Sequence, residues 1–341
     1  MGLKSQSSSE VTFVAAALAD SDLMEVAGSM DVDPVGARYT RMFTYDEQQQ
    51  QPWSHHVVEQ RVVVVCRYLL PPDYEYFGLG YMSEEGGIRL ASETQVLDEK
   101  IPGAGVNSPD ATGWGYMSDL RQIGEHLYAC GGAGQVYKRV APSQWEHMDQ
   151  GLLQAPDVSE RILPRAIHGP DESDIYLVGC LSASGLPPLV YHWDGSRWLQ
   201  LPLPEVAERI TNIHVESRDR IWLCGSNGTL LLGNARDGFR GLSTVDDNQL
   251  FLSVTLFEGR AYLGSNLGLF VYDPADAAAG IRPVVTGLVP ELQDTNIVDS
   301  VEGVLWSIGP KDIARFDGQS WTRIHHPDNP PIGGPIVGAT P

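Results

Sequence analysis

Short apolar runs, each broken by Gly, Ser, Asn or Asp, follow one another along most of the chain, and one motif recurs among them. HLYACGG (126–132), DIYLVGC (174–180), RIWLCGS (220–226), RAYLGSN (260–266) and VLWSIGP (304–310) share an aliphatic or small residue, then Tyr or Trp, then small residues and Gly. DLMEVAGS (22–29) and EYFGLGY (75–81) are weaker copies. The copies recur every ~40–50 residues, the period of a four-stranded propeller blade.

The flanks repeat too. An apolar strand precedes each copy: VTFVAAAL (11–18), RVVVVCRYL (61–69), WGYMSDL (114–120), ILPRAIH (162–168), ITNIHVE (210–216), LFLSVTLF (250–257) and TNIVDSV (295–301). A Gly-, Ser- or Asn-rich turn and a third strand follow it, as in GQVYKRV (134–140) and LGLFVYD (267–273). A fourth strand often opens on an aromatic, as in PWSHHVV (52–58), QWEHMDQ (144–150), SRWLQLP (196–202), GFRGLS (238–243) and SWTRIHH (320–326).

A four-stranded sheet cannot cover its own two apolar faces, and radial stacking buries each against a neighbour. Inner strands are then covered on both sides and read as continuous apolar runs, as VVVV (62–65) does. Gly at the end of the second strand is expected to let the chain turn close to the axis. The pattern predicts an all-β, seven-bladed β-propeller of four-stranded antiparallel blades: 10–58, 60–103, 113–155, 162–204, 208–245, 249–290 and 294–326. Residues 1–9 are expected to be disordered. Residues 327–341 are expected to form a C-terminal tail, within which GGPIVGATP (333–341) either stays a tail or adds a strand that closes the ring. Gln48–Gln51 and Pro102–Ala111 read as surface excursions.

WDGSRW (193–198) and FDGQSW (316–321) share Asp-Gly-x-x-Trp in the hairpin between third and fourth strands, and RDGF (236–239) echoes it. These turns resemble degenerate Asp-box (BNR-type) repeats. Units such as IWLCGSNGTLLL (221–232) resemble the repeats of bacterial sensor and assembly-factor propellers. The resemblance implies the fold and is nearly silent on function. His192 and Arg315 break the full Asp-box pattern, so Asp194 and Asp317 are expected to cap their own turns.

The formal net charge of −21 repels nucleic acid and anionic lipid and favours a basic protein partner. No charged leader with a long apolar segment and no membrane-length run is present, which sets the expectation of a cytoplasmic protein, monomeric and free of membrane. Cys66, Cys130, Cys180 and Cys224 lie in apolar runs with no zinc spacing and read as buried, reduced thiols. His55–His56 and His325–His326 sit on strands of the first and last blades. Adjacent strand residues face opposite ways, so neither pair chelates jointly, and no metal or cofactor is expected. GGAGQ (131–135) lacks the Lys-Ser/Thr of a phosphate loop and reads as a hairpin turn. No nucleophile elbow and no His-Glu-x-x-His helix occurs, and the scattered arginines give no sign of converging.

One feature points outward. Loops joining one blade's outer strand to the next blade's inner strand carry Asp149, Asp157 and Glu160, then Glu205 and Glu208, then Asp246 and Asp247, then Glu291 and Asp294. Turns between second and third strands add Asp31, Asp33, Glu84 and Glu85. Both loop sets emerge on one face, where their field would steer a basic partner. The expectation is a non-enzymatic binding protein, such as a cytoplasmic immunity protein that inhibits an antibacterial toxin, or a scaffold or assembly factor. The alternative is a glycoside hydrolase or lyase with paired carboxylates at the channel mouth.

Overall fold

A computed structural model describes residues 10–31, 38–69, 78–91, 95–205, 209–242 and 249–333. The chain forms seven four-stranded antiparallel sheets, each drawn from one contiguous stretch. Blade one holds β1 (Val11–Leu18), β2 (Leu23–Met30), β3 (Thr40–Asp46) and β4 (Trp53–Val58); blade two β5 (Val62–Tyr68), β6 (Gly78–Ser83), β7 (Gly87–Ala91) and β8 (Val96–Lys100). Blade three holds β9 (Met117–Ile123), β10 (His126–Gly131), β11 (Gln135–Ala141) and β12 (Gln144–His147); blade four β13 (Ile162–Asp171), β14 (Asp174–Leu181), β15 (Pro188–Trp193) and β16 (Trp198–Gln200). Blade five holds β17 (Ile210–Ser217), β18 (Arg220–Gly225), β19 (Leu230–Asn234) and β20 (Gly238–Gly241). Blade six holds β21 (Phe251–Phe257), β22 (Arg260–Ser265), β23 (Gly268–Tyr272) and β24 (Ile281–Pro283); blade seven β25 (Ile297–Val301), β26 (Val304–Ile308), β27 (Ile313–Phe316) and β28 (Trp321–Ile324). The short outer strands β8 and β24 lack the opening aromatic that marks the others, and the pattern did not signal them.

Inner strands contact one another around the ring, from β1 to β5 onward to β25 and back to β1. The apolar interior is divided accordingly into seven clusters, one in each seam between neighbouring blades. The repeated aromatics Tyr128, Tyr176, Trp222 and Trp306 are almost completely buried there. Burying a large apolar side chain stabilises by ~1.5–3 kcal/mol, so the repeat that marks the sequence also contributes heavily to the core. All four cysteines are buried and free. Burial pushes the Cys66 and Cys224 thiols up to about 12, so they stay protonated and inert.

The glycine closing the second strand has a different role from the turn expected of it. Inner strands of blades one, three, four, five and six carry a bulge opposite or near it, whereas the bulge of blade two faces Met82 and Ser83. A Cβ on Gly179 would collide with the carbonyl of Leu163, and one on Gly225 with that of Arg209. Glycine is needed because the bulged partner backbone passes so close. GGAGQ does turn between β10 and β11, through a 3₁₀ turn at Gly132–Gly134. In blade five Asn227 and Gly228 both take positive φ, as a tight two-residue hairpin requires.

Asp194 Oδ1 accepts from the amides of Ser196 (2.9 Å) and Arg197 (3.0 Å), and Asp317 Oδ1 from those of Gln319 and Ser320 (2.8 Å each). Asp46 and Asp273 make the same turn in blades one and six, and in blade five Asn234 takes the role in place of Asp237. The repeated Asp is a turn cap in the described blades that carry it.

Among the described residues no strand is shared between the two ends of the chain. Blade seven seals against blade one through side chains: Phe13, Phe43 and Trp53 surround the ring of His326, with centroids 4.6–5.6 Å away. The last residues, 334–341, lie outside the described residues.

Candidate protein-binding face

The second-to-third turns and the blade-to-blade connections are hydrogen-bonded to one another all round the ring, which places them on one face. Met117 N donates to Glu84 O, Gln154 N to Ala133 O, Ser182 N to Arg161 O, Gly228 N to Gln249 O, Thr295 N to Ser265 O and Phe13 N to Pro310 O.

The acidic residues expected there divide into distinct groups. Asp33, Glu208, Asp246 and Asp247 lie outside the described residues. Asp149 is buried (3% exposed) and accepts from the Val136 amide and the His147 ring, so it holds its own turn and offers no docking carboxylate. Glu85 is likewise a strut: it accepts from the amides of Val106, Asn107 and Ser108 and from the Asn107 side chain. Burial opposes its ionisation, but these bonds outweigh it and its pKa falls. Glu291 caps Thr286 and Gly287. Asp31 pairs with Lys311 (2.5 Å) and Glu84 with Arg61 (3.7 Å). Asp294 is half-buried beside Asp312, and burial and that neighbour raise its pKa.

Asp157, Glu160 and Glu205 are exposed and meet no cation among the described residues. They rise from the connections between blades three, four and five. Glu59, at the first connection, is exposed on the same face; it stands as a lone acid between Val58 and Gln60, without the acidic neighbours that mark the other loops. The opposite face is acidic too, a point the sequence reading did not weigh. Much of that charge is paired there: Asp171 and Asp174 with Arg218, Glu172 with Lys138, Asp219 and Asp237 with Arg236, Asp273 with Arg260, and Glu47 with Arg315.

Beside the unpaired acids lies exposed apolar surface that charge counting could not reveal. Val106 (46%), Tyr116 (44%) and Val158 (37%) are exposed on the two connections 101–116 and 148–161. These loops are pinned by hydrogen bonds. Lys100 Nζ donates to the carbonyls of Ile101 (2.8 Å) and Ala104 (2.9 Å), and Asp110 accepts from the Gly103 amide. The Arg161 guanidinium ties the two loops together by donating to the carbonyls of Gly113, Trp114 and Pro156. Trp114 packs edge-on against His147 at 5.5 Å, and the Tyr116 hydroxyl accepts from Asn107 Nδ2. An aromatic anchor on a fixed loop with acids around it has the composition of a protein-binding hot spot.

Of the histidine pairs, His326 is buried in the closing seam and His55, His56 and His325 are exposed on or beside strands. No cluster of three or more His, Cys, Asp or Glu residues suited to a metal occurs among the described residues. No helix among them is long and apolar enough to cross a membrane.

No protein-family model matches the chain. It is 29% identical over 253 residues to Immune protein Tsi7 of Pseudomonas aeruginosa strain PAO1, covering 72% of this chain and 74% of that protein. Among solved structures it resembles virginiamycin B lyase of Staphylococcus aureus (TM-score 0.61, 7% identity, 91% and 94% of the two chains) and YCF48 of Cyanidioschyzon merolae (0.60, 11%, 93% and 96%). It also resembles the WD40 propeller domain of Doa1 (0.59, 10%, 90% and 92%). At such identities the solved structures speak for architecture alone. The chain is thus a seven-bladed β-propeller, similar in sequence over most of its length to an immune protein.

Proposed function

We propose that this propeller is an immunity protein: a cytoplasmic, monomeric binder that neutralises a basic toxin domain by docking on it, without catalysis of its own. The observation that carries the reading is the similarity to Immune protein Tsi7 across 253 residues. The rigid face of Tyr116, Val106 and Val158, with Asp157, Glu160 and Glu205 nearby, supplies the means. Unpaired carboxylates speed the encounter with a cationic surface, and the apolar residues hold the complex once water is expelled.

The test is co-expression in a bacterial host with the toxin-like protein encoded beside it. The reading expects growth to be restored by the wild-type chain and lost with Asp157→Lys, Glu160→Lys and Glu205→Lys combined, while thermal unfolding of that variant stays unchanged. It also expects the purified complex to associate more slowly as salt rises. Failure of the wild-type chain to protect, or protection indifferent to the three reversals, overturns it.

A further inference from the structure

The two faces of the ring are alike in acidity and unlike in apolar exposure. Ten large hydrophobic side chains are exposed among the described residues, and six of them stand on loops of the candidate face: Val106, Tyr116 and Val158 in one group, Leu267, Val285 and Val289 in another. None of the ten lies in the described turns of the opposite face. The second group sits where blades six and seven meet. Leu267 (57% exposed) is in the turn between β22 and β23, and Val285 and Val289 (84% each) are in the connection from β24 to β25. Val284 N donates to the Leu269 carbonyl at 2.9 Å and Thr295 N to the Ser265 carbonyl at 2.8 Å, so turn and connection lie side by side. Inner strands contact one another in chain order round the ring. In a ring of seven blades this connection is therefore three blades from each of the two that carry the first group, by the shorter path, and the groups stand across the channel mouth from one another.

The second group is pinned like the first. Arg323 Nη2 donates to the Pro290 carbonyl at 2.9 Å, and the same guanidinium donates to Asp312 at 2.8 and 2.9 Å, with both side chains nearly buried. Glu291 accepts from the amides of Thr286 (3.0 Å) and Gly287 (2.8 Å). Two valines on a fixed loop thus keep their apolar surface in water, a cost that a covering partner removes. The surrounding charge differs from that of the first group. Between Ile281 and Pro290 the only charged residue is Arg282. Of the nearby carboxylates, Glu291 is turned onto amides, Asp294 is half-buried and Asp312 is paired. The unpaired acids Asp157 and Glu160 stand instead on the connection that carries Val158, and Glu205 on the next one.

We propose, resting on the immunity reading, that one folded partner domain spans the channel mouth and touches both groups, its basic end over the connections of blades three to five and an apolar end over Leu267, Val285 and Val289. The uneven distribution of charge fixes the orientation. A partner turned the other way would set its cations on uncharged valines and its apolar surface on free carboxylates, and would lose both contributions. The acids then govern the rate of encounter and the valines the lifetime of the complex.

The probe is the toxin-like protein encoded beside the chain, bound to the full chain and followed by surface plasmon resonance across a salt series. Val285→Ser with Val289→Ser alters no charge, so it should speed dissociation on the order of ten-fold and leave association and its salt dependence unchanged. Asp157→Lys, Glu160→Lys and Glu205→Lys combined should instead slow association and flatten its salt dependence. Photo-cross-linking residues in place of Val285 and of Asp157 should capture opposite ends of one partner molecule in a one-to-one complex. Faster dissociation of the serine variant, with thermal unfolding of the free chain unchanged, supports the proposal. Binding that responds to the acid reversals and ignores the serines overturns it and leaves the immunity reading standing. No binding by the wild-type chain overturns both. A free chain that sediments as a dimer dissolved by the serines, or one that the serines destabilise, assigns the valines to a second copy or to an internal contact and overturns it as well.

Discussion

The side-chain amide of Asn329 binds both backbone polar groups of Val11: its Oδ1 accepts from the Val11 amide at 2.7 Å, and its Nδ2 donates to the Val11 carbonyl at 3.1 Å. Asn329, five residues past the end of the last strand at Ile324, thus pairs with the first strand as a neighbouring strand would. Val11 is fully buried. Asn329→Ala leaves its amide without a partner and should cost ~1–3 kcal/mol. Urea denaturation reads this as a lower midpoint with an unchanged slope; an unchanged midpoint denies Asn329 its closing role.

The outer parts of blades two and three are joined by Glu99 and Arg139, both side chains almost fully buried. The guanidinium donates to the carboxylate at 2.6–3.2 Å, and Trp145 Nε1 donates to it at 3.0 Å. Removing one member strands the other charge, so Arg139→Met should destabilise by ~3–5 kcal/mol. Replacing both residues with apolar ones should recover much of that loss. A double variant as unstable as the single one contradicts the assignment.

Glu172 carries the acid response. It accepts from Lys138 Nζ and pairs with His126 Nδ1, each at 2.6 Å. Partial burial opposes its ionisation, but Lys138 and then His126 outweigh it and hold its pKa at about 2. Its unfolded value is ~4.3. A depressed folded pKa means stability that is complete above the unfolded value and is lost as pH falls from ~4.3 towards about 2. Wild type should therefore exceed Glu172→Gln in thermal stability at pH 6, and the gap should close through that window. A gap constant down to pH 2 sinks the assignment.

Gly179→Ala tests the close approach at the bulge. The new methyl would strike the Leu163 carbonyl, and overpacking of this kind costs ~1–3 kcal/mol. Gly241→Ala, with nothing within 4 Å of the new carbon, serves as the control and should change little. Equal effects at the two sites refute the steric reading.

Tyr116 is the candidate anchor of the docking face. Tyr116→Ala should weaken the complex by ~2 kcal/mol or more, about 30-fold, mainly through faster dissociation. Surface plasmon resonance resolves this; an unchanged dissociation rate removes Tyr116 from the interface.

Much of the architecture was legible because each blade needs the same buried aromatic at the same place. Tyr128, Tyr176, Trp222 and Trp306 announced the second strand of their sheets, and the inner runs were legible because both flanks are covered. β24 was not legible: Ile281–Pro283 has three residues and no aromatic, since little packs on it. The docking face was only partly legible. Sequence locates Asp149 and Glu85 in the right loops but cannot tell a carboxylate that faces solvent from one folded inward onto amide groups.

Because every sheet is cut from one uninterrupted stretch, the covalent order of the blades is separable from their arrangement in space. Joining the two ends of the ring, before Val11 and after Asn329, by a flexible linker and opening the chain between any two blades should give circular permutants with all seven sheets intact. The seam held by Asn329 would then become an ordinary continuous junction.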